Sequence, residues 1–443
     1  MAKRKPPKRK GGPALPWRES APPMTSEREV KAAYALARDR YAAFGIDTDR
    51  AVRRALATPV SVHCWQADDV AGLEAGEGGD AGGLAATGNH PGAARNGDEI
   101  RQDLEAAAAC IPGALRVNLH AIYAETGGKR VERTDLAPRH FAGWMDWAEA
   151  QGLGLDFNPT CFGHPMMKHG LSLSSEDPAV RAYWIEHCRA SRRIAAAMAK
   201  RFGASTCNIW IPDGRKDLPA DRWGPRERLA EILDVVLDRR YKGVVDAVES
   251  KLFGLGVESY TVGSHEFYLM YAARHKGVAV CLDLGHFHPT ESVADKLSAI
   301  APHVEHVLVH ASRGVRWDSD HVVLSTPDLQ ELCDEAVRGG VSDRMLWALD
   351  FFDASIDRVG AYVVGARAMR KSLLRSFLAP FDLEAGLEVA DQGAYKLGLM
   401  EHRGELPFGA VWDHLCLADD RPVGIDWIRE VETYARRVLS ARE

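Results

Sequence analysis

Three carboxylates and a histidine stand in this chain where charge is costly. Glu249 lies in DAVESKL, Asp283 in AVCLDLG, Asp350 in LWALDFF and His310 in VEHVLVHAS, each toward the end of an apolar, β-branched run. A carboxylate buried without a partner is strongly disfavoured. Any one of these acids reads equally well as a structural ion pair or a cap. Four such groups on four successive runs point instead to a shared cation. A mixed oxygen and nitrogen donor set suits Mn²⁺, Mg²⁺, Co²⁺ or Zn²⁺. A second donor group combines His286, three residues after Asp283, with Asp318 and Asp320 in RGVRWDSDHVV. The DxD pattern is common by itself, but just past the His310 run it reads as a second metal site. Lys251, two residues beyond Glu249, shares its face at strand spacing and can donate a hydrogen bond or charge to a substrate oxygen. The plainer role for it is an ion pair with a neighbouring acid. His120 in RVNLHAIY, Trp65 in PVSVHCW and Trp210 in CNIWIPDG end further runs. The histidine offers acid–base chemistry or a hydroxyl contact, and the tryptophans offer flat apolar walls. Core packing is the plainer role for all three. His63 reads as structural, and His288 and His321 as groups that orient ligands.

These residues need a scaffold that brings eight run ends together. The runs are 59–65, 116–123, 152–159, 207–214, 244–252, 278–286, 304–312 and 344–352. Stretches of helical period separate them, around 99–111, 138–151, 177–202, 225–240, 263–275, 291–300, 327–338 and 357–378. Eight strands alternating with eight helices predict an α/β fold, a (β/α)₈ barrel, with its active site at the C-terminal ends of the strands. An open, doubly wound sheet is the alternative. It calls for a glycine-rich first turn, and neither GxGxxG nor GxxxxGK[ST] occurs. The glycine-rich stretch 76–92 therefore reads as a long first βα loop, either a flexible insertion or a lid or subunit contact. Along the chain we expect a disordered basic tail (1–23), a barrel domain with a leading helix capped by Ser26 (24–378) and a helical C-terminal extension (379–443).

Composition narrows the function classes. The chain has 443 residues, 46% hydrophobic and 27% charged, which is ordinary for a globular enzyme. Residues 1–23 hold seven Lys/Arg and one acid, so the net charge of −6 divides into a basic arm and an acidic body. The acidic body argues against a nucleic-acid partner, and no run approaches the ~18 apolar residues of a membrane span. Met24 is an alternative start, and no secretory h-region precedes it. The eight cysteines show no CxxC spacing and several lie in apolar runs, as expected of buried thiols in a reducing cytoplasm.

The strings HCWQADDV, ATGNHPGAARN, NLHAIY, LGLDFNPTCF, NIWIPDGRKD, DAVESKLFGLGVESYTVGS, CLDLGHFHPTE, RGVRWDSDHVV and LDFFDASI resemble bacterial L-rhamnose isomerase from about residue 28 to the C-terminus. The basic tail lies outside the resemblance. It implies a xylose-isomerase-like barrel, a homotetramer and two divalent metals per subunit, usually manganese. It further implies that Glu249, Asp283, His310 and Asp350 hold a structural metal and that His286, Asp318 and Asp320 hold a catalytic one. Trp65, His120, Trp210 and Lys251 match substrate contacts. The implied catalytic group is Lys251, Asp318, His286 and Asp350. The implied reaction moves hydrogen between C1 and C2 of an open-chain aldose, as hydride or through an enediol. Relatives preferring L-mannose, L-lyxose or D-allose remain alternatives, as does a metal-dependent phosphodiesterase or endonuclease on the same barrel.

Overall fold

Each of the eight apolar runs forms a parallel strand, and together they close into a barrel. The computed structural model describes residues 25–74, 86–252, 258–315 and 320–442. The expectations for the tail, Met24, most of the glycine-rich loop, and Arg316, Trp317 and Asp318 lie outside the described residues. The strands are β1 Val60–His63, β2 Leu115–His120, β3 Gly154–Asn158, β4 Ser205–Trp210, β5 Val244–Glu249, β6 Val278–Asp283, β7 Val307–Ala311 and β8 Met345–Leu349. Val60 of β1 pairs with Leu115 on one side and with Trp347 of β8 on the other, which closes the ring.

Helices follow the strands at the expected places. A leading pair, α1 Glu27–Ala42 and α2 Thr48–Ala57, precedes β1. The barrel helices are α3 Gly97–Ala108, α4 Ala142–Ala150, α5 Pro178–Phe202, α6 Gly224–Val236, α7 His265–Arg274, α8 Val293–Ile300, α9 Pro327–Arg338 and α10 Arg358–Phe377. Many starts are fixed by side-chain caps. Ser26 forms a reciprocal capping box with Glu29, and Asn96, Asp177, Ser292, Thr326 and Asp357 each accept a backbone N–H of the first turn.

Strand alternation sorts residues between two cores. Val248, Val280, Leu282, Val309 and Leu349 pack outward against the helices. Ala247, Ala279, Cys281, Leu308 and Ala348, one position off, form a separate small cluster inside the ring. The other half of the interior is polar. At its floor Arg116 holds Asp156 through two hydrogen bonds of 2.9 and 3.0 Å, while the Ser61 hydroxyl and Thr206 N–H also donate to that carboxylate. The residues lining the functional end thus stand above a polar, hydrogen-bonded floor.

Beyond α10 come α11 Phe381–Val389, α12 Gly393–His402, α13 Phe408–Ala418 and α14 Trp427–Arg437. Helix α13 packs with α1, α2 and the end of α10 in a third core around Tyr34, Val52, Leu374 and Trp412. Fully buried Arg370 joins the same region to the barrel, donating to the carbonyls of Ala55, Thr58, Pro112 and Ala114. In contrast, α11 and α12 leave Leu383, Val389, Tyr395, Leu397 and Met400 exposed. No described helix is long and apolar enough to cross a membrane.

Candidate active site

Glu249, Asp283 and Asp350 end β5, β6 and β8 or follow them directly, and His310 comes up from β7, so barrel closure alone makes them converge. One ligand atom from each of the four lies within 4.8 Å of the others. His310 Nδ1 is 3.3 Å from Glu249 Oε1, 3.3 Å from Asp350 Oδ2 and 3.9 Å from Asp283 Oδ2. Donor atoms about 2.0–2.3 Å from one cation have mutual spacings of this order.

The carboxylates are aimed by neutral donors. Asp283 Oδ1 accepts the Ser312 hydroxyl (2.6 Å) and the Gly285 N–H (2.7 Å), leaving Oδ2 toward the centre without a hydrogen-bond donor among the described residues. Glu249 Oε2 accepts from Asn208 Nδ2, so Oε1 faces the histidines. Burial pushes the Asp283 pKa up to about 6, reinforced by Glu249 and Asp350. Burial also opposes charge on Glu249, but His310 and His286 hold its pKa well below the usual carboxylate range. Two buried acids and the half-buried Asp350 thus outnumber the two histidines that face them, and a divalent cation fits the charge imbalance.

His286 belongs to the same cluster. Its Nδ1 lies 2.8 Å from the Ser250 carbonyl and 3.2 Å from Glu249 Oε1, and its Nε2 lies 3.8 Å from Asp283 Oδ2. Asp320 lines the same cavity, with its backbone in the left-handed region at φ 46°. Asp318 lies outside the described residues, so this second donor group is seen only as His286 and Asp320.

The cavity above the acids measures ≈ 440 Å³ out to its mouth. Trp65, His120, Trp210, Lys251 and Phe352 wall it. Trp65 stacks on His120 with ring centroids 3.9 Å apart, and Lys251 Nζ sits 4.9 Å above the Trp210 ring. His120 Nε2 donates to the Asn158 amide oxygen (2.9 Å), which also takes a donor from Asn118, while the Asn158 amide N–H donates to the carbonyls of Phe157 and Asn208. This leaves His120 Nδ1 with a lone pair and no partner among the described residues. Burial pushes the His120 pKa down to about 3, so the ring is neutral at physiological pH. The indole N–H groups of Trp65 and Trp210 are likewise unpartnered among those residues. An apolar wall with a few open polar edges is the chemistry of a small polyhydroxylated ligand.

All the proposed site residues within the described segments meet here. The neighbours named from sequence divide. His63 is fully buried on the Leu349 carbonyl (2.9 Å), and burial lowers its pKa to about 4. His288 is exposed and bonds Thr290. The sequence reading missed Asn118, Asn158, Asn208 and Phe352. The three asparagines stand two residues before His120, two after Asp156 and two before Trp210, so the period-2 face of each strand carried the signal.

A closed parallel barrel with an acid cluster that could hold a metal ion, under an aromatic-walled cavity at the strand C-termini, has the form of a barrel enzyme with its site where this fold places it. The chain belongs to the L-rhamnose isomerase family: the family model L-rhamnose isomerase (RhaA) matches residues 28–442. It is 50% identical over 422 residues to L-rhamnose isomerase of Salmonella enteritidis PT4 (strain P125109), covering 95% of this chain and 100% of that protein. The L-rhamnose isomerase of Salmonella gallinarum (strain 287/91 / NCTC 13346) matches to the same extent. Among solved structures, a D-allulose 3-epimerase from Methylomonas sp. in complex with D-allulose aligns with 68% of this chain and 99% of its own at 12% identity and a TM-score of 0.44. The chain is an aldose–ketose isomerase.

Proposed function

We propose that this cavity converts L-rhamnose to L-rhamnulose. The observation that carries the reading is the convergence of Glu249, Asp283, His310 and Asp350 beneath Trp65, His120, Trp210 and Lys251, in a chain of this family. Glu249, Asp283, His310 and Asp350 hold one metal, and His286, Asp320 and Asp318 hold a second. We take both to be Mn²⁺, with Co²⁺, Mg²⁺ and Zn²⁺ as the other occupants to test. Bound there, divalent cations polarise the sugar oxygens as Lewis acids.

The chain's own groups do the rest. His120, neutral and with an unpartnered Nδ1, accepts the O1 hydroxyl proton as the C1–O5 bond of the pyranose breaks, and the departing O5 takes up a proton from solvent in return. Lys251 donates to O1 and stabilises the charge that develops when hydrogen moves between C1 and C2. Asp350, Asp318 and His286 complete the catalytic group by fixing the oxygens. Trp65 and Trp210 cover the apolar sugar face and the C6 methyl and exclude water.

The reading extends to the whole protein. The five exposed apolar residues of α11–α12 support a homotetramer. Eight buried, unpaired cysteines support the cytoplasm. Because α13 shares a core with α1 and α2, we read the barrel segment to residue 378 and the extension from 379 as two chain segments of one folded body. The test strips the protein with chelator, restores Mn²⁺ and measures ketose formation from a panel of aldoses. L-rhamnose should be the preferred substrate. Preference for L-mannose, L-lyxose or D-allose would overturn the substrate assignment, and activity without any divalent ion would overturn the metal assignment.

A further inference from the structure

Three loops must hold still for the mouth of this site to keep its shape: those after β1, β7 and β8. Gln66 stands where they meet. It follows Trp65 in the chain and is fully buried. Its side-chain amide makes both possible backbone bonds to one residue: Gln66 Nε2 donates to the Asp353 carbonyl at 2.9 Å, and the Asp353 N–H donates to Gln66 Oε1 at 2.8 Å. One residue earlier, the Phe352 N–H donates to the Asp320 carbonyl at 3.1 Å. Asp320 is held at φ 46°, a left-handed state that aspartate enters more readily than most non-glycine residues. The two ends of its loop are pinned together by the Arg313 N–H on the His321 carbonyl (3.2 Å), and Phe352 supplies a third point.

We propose that Gln66 is a positioning residue for Asp320, acting through Asp353 and Phe352 on the Asp320 backbone. The inference rests on the reading of Asp320 as a metal ligand. A two-point clamp on the backbone of one residue transmits better than a single bond, because both the N–H and the C=O of Asp353 lose their partners together if it goes. The same clamp sets the Phe352 ring edge-on to Trp65, with centroids 5.9 Å apart, so one amide controls both a ligand and a wall of the cavity.

The test compares Gln66→Met, close in shape but without the amide, with Asp320→Asn and with Ser355→Ala. The last removes a hydroxyl bonded to the Asp353 carboxylate and leaves the clamp intact. Each apoprotein is titrated with Mn²⁺, following the free-ion EPR signal, and circular dichroism checks the fold. Asp320→Asn should lose the weaker class of bound Mn²⁺. Gln66→Met should weaken that same class about 10–100-fold, the range found when groups supporting a ligand are removed, and leave the tighter class unchanged. Ser355→Ala should bind as wild type. If Asp320→Asn weakens the site and Gln66→Met does not, the inference is overturned while the ligand reading stands. If Asp320→Asn binds Mn²⁺ as wild type, the ligand reading itself fails and the inference falls with it. Should Gln66→Met not fold, Gln66→Glu keeps the acceptor for the Asp353 N–H. A smaller weakening of the same class supports the clamp, and wild-type affinity overturns it.

Discussion

His120 offers a sharp test of the proposed chemistry, because its state is set by burial and its bonds are few. His120→Phe keeps a flat ring against Trp65, where the present centroids are 3.9 Å apart, and deletes both nitrogens. The loss to stability should be small, about 1 kcal/mol, because Asn158 keeps its Asn118 donor. The loss in kcat should be large, about 10²–10⁴-fold, as expected when a positioned proton acceptor is removed. The pH dependence is the stricter check. At pH 5.5 a histidine with an ordinary pKa near 6.5 would be about 90% protonated, and kcat/KM would fall about tenfold from its value at pH 8. With its pKa pushed to about 3, His120 is less than about 1% protonated at pH 5.5 and causes no fall. A nearby cation pushes it lower still. The assay is initial-rate ketose formation from L-rhamnose between pH 5 and 8.5 at saturating Mn²⁺, with kcat and KM resolved at each pH. The reasoning is refuted if the wild type shows an acid limb near pH 6.5 that His120→Phe erases, or if the variant keeps kcat within a few-fold.

Asp68, just past Trp65, accepts from the Tyr123 hydroxyl and the Gly72 N–H, yet burial raises its pKa to about 7. A raised folded-state pKa gives stability that is complete below the unfolded value near 4 and lost as pH rises through about 7, at most about 4 kcal/mol. Asp68→Asn should therefore flatten the fall in stability between pH 5 and 8, as measured by denaturant titration at the two pH values; a variant as pH-sensitive as wild type would sink this. Removing the metals should lower Tm, and Mn²⁺ at about 100 times its Kd should restore about 2.7 kcal/mol, roughly 3 °C for a chain this long. Differential scanning with and without chelator checks it, and an unchanged Tm counts against a metal held by the four converging side chains. Leu397→Asp, on the exposed face of α12, should reduce the molar mass seen by light scattering without altering the circular dichroism spectrum; an unaltered mass would remove that face from the interface.

Much of this was legible beforehand because barrel strands advertise themselves. Each of the eight apolar runs contains or closely overlaps its strand, and helix bounds such as 177–202 against Pro178–Phe202 differ by a residue or two. Acids in such runs stand out by contrast with their neighbours, so Glu249, Asp283 and Asp350 were readable. Asn118, Asn158 and Asn208 were not, since an uncharged amide in an apolar run looks tolerable until the interior is known to be polar on that side. Gln66 was hidden more deeply. Its partner is 287 residues away in sequence, and its role depends on backbone atoms that no side-chain pattern encodes.

The seam of the barrel joins the two ends of a long chain, and protein synthesis delivers those ends at different times. Strand β1 finds its second neighbour only when Met345–Leu349 has been made, and the carbonyls of Ala55, Thr58, Pro112 and Ala114 gain their guanidinium only with Arg370. At roughly 5–20 residues per second, about 300 residues separate these events by on the order of 15–60 s. For that interval the nascent half-barrel carries open strand edges beside the ribosome. A truncation before β8 would leave it in that condition permanently, so messages cut short there should yield chains that chaperones retain or proteases remove.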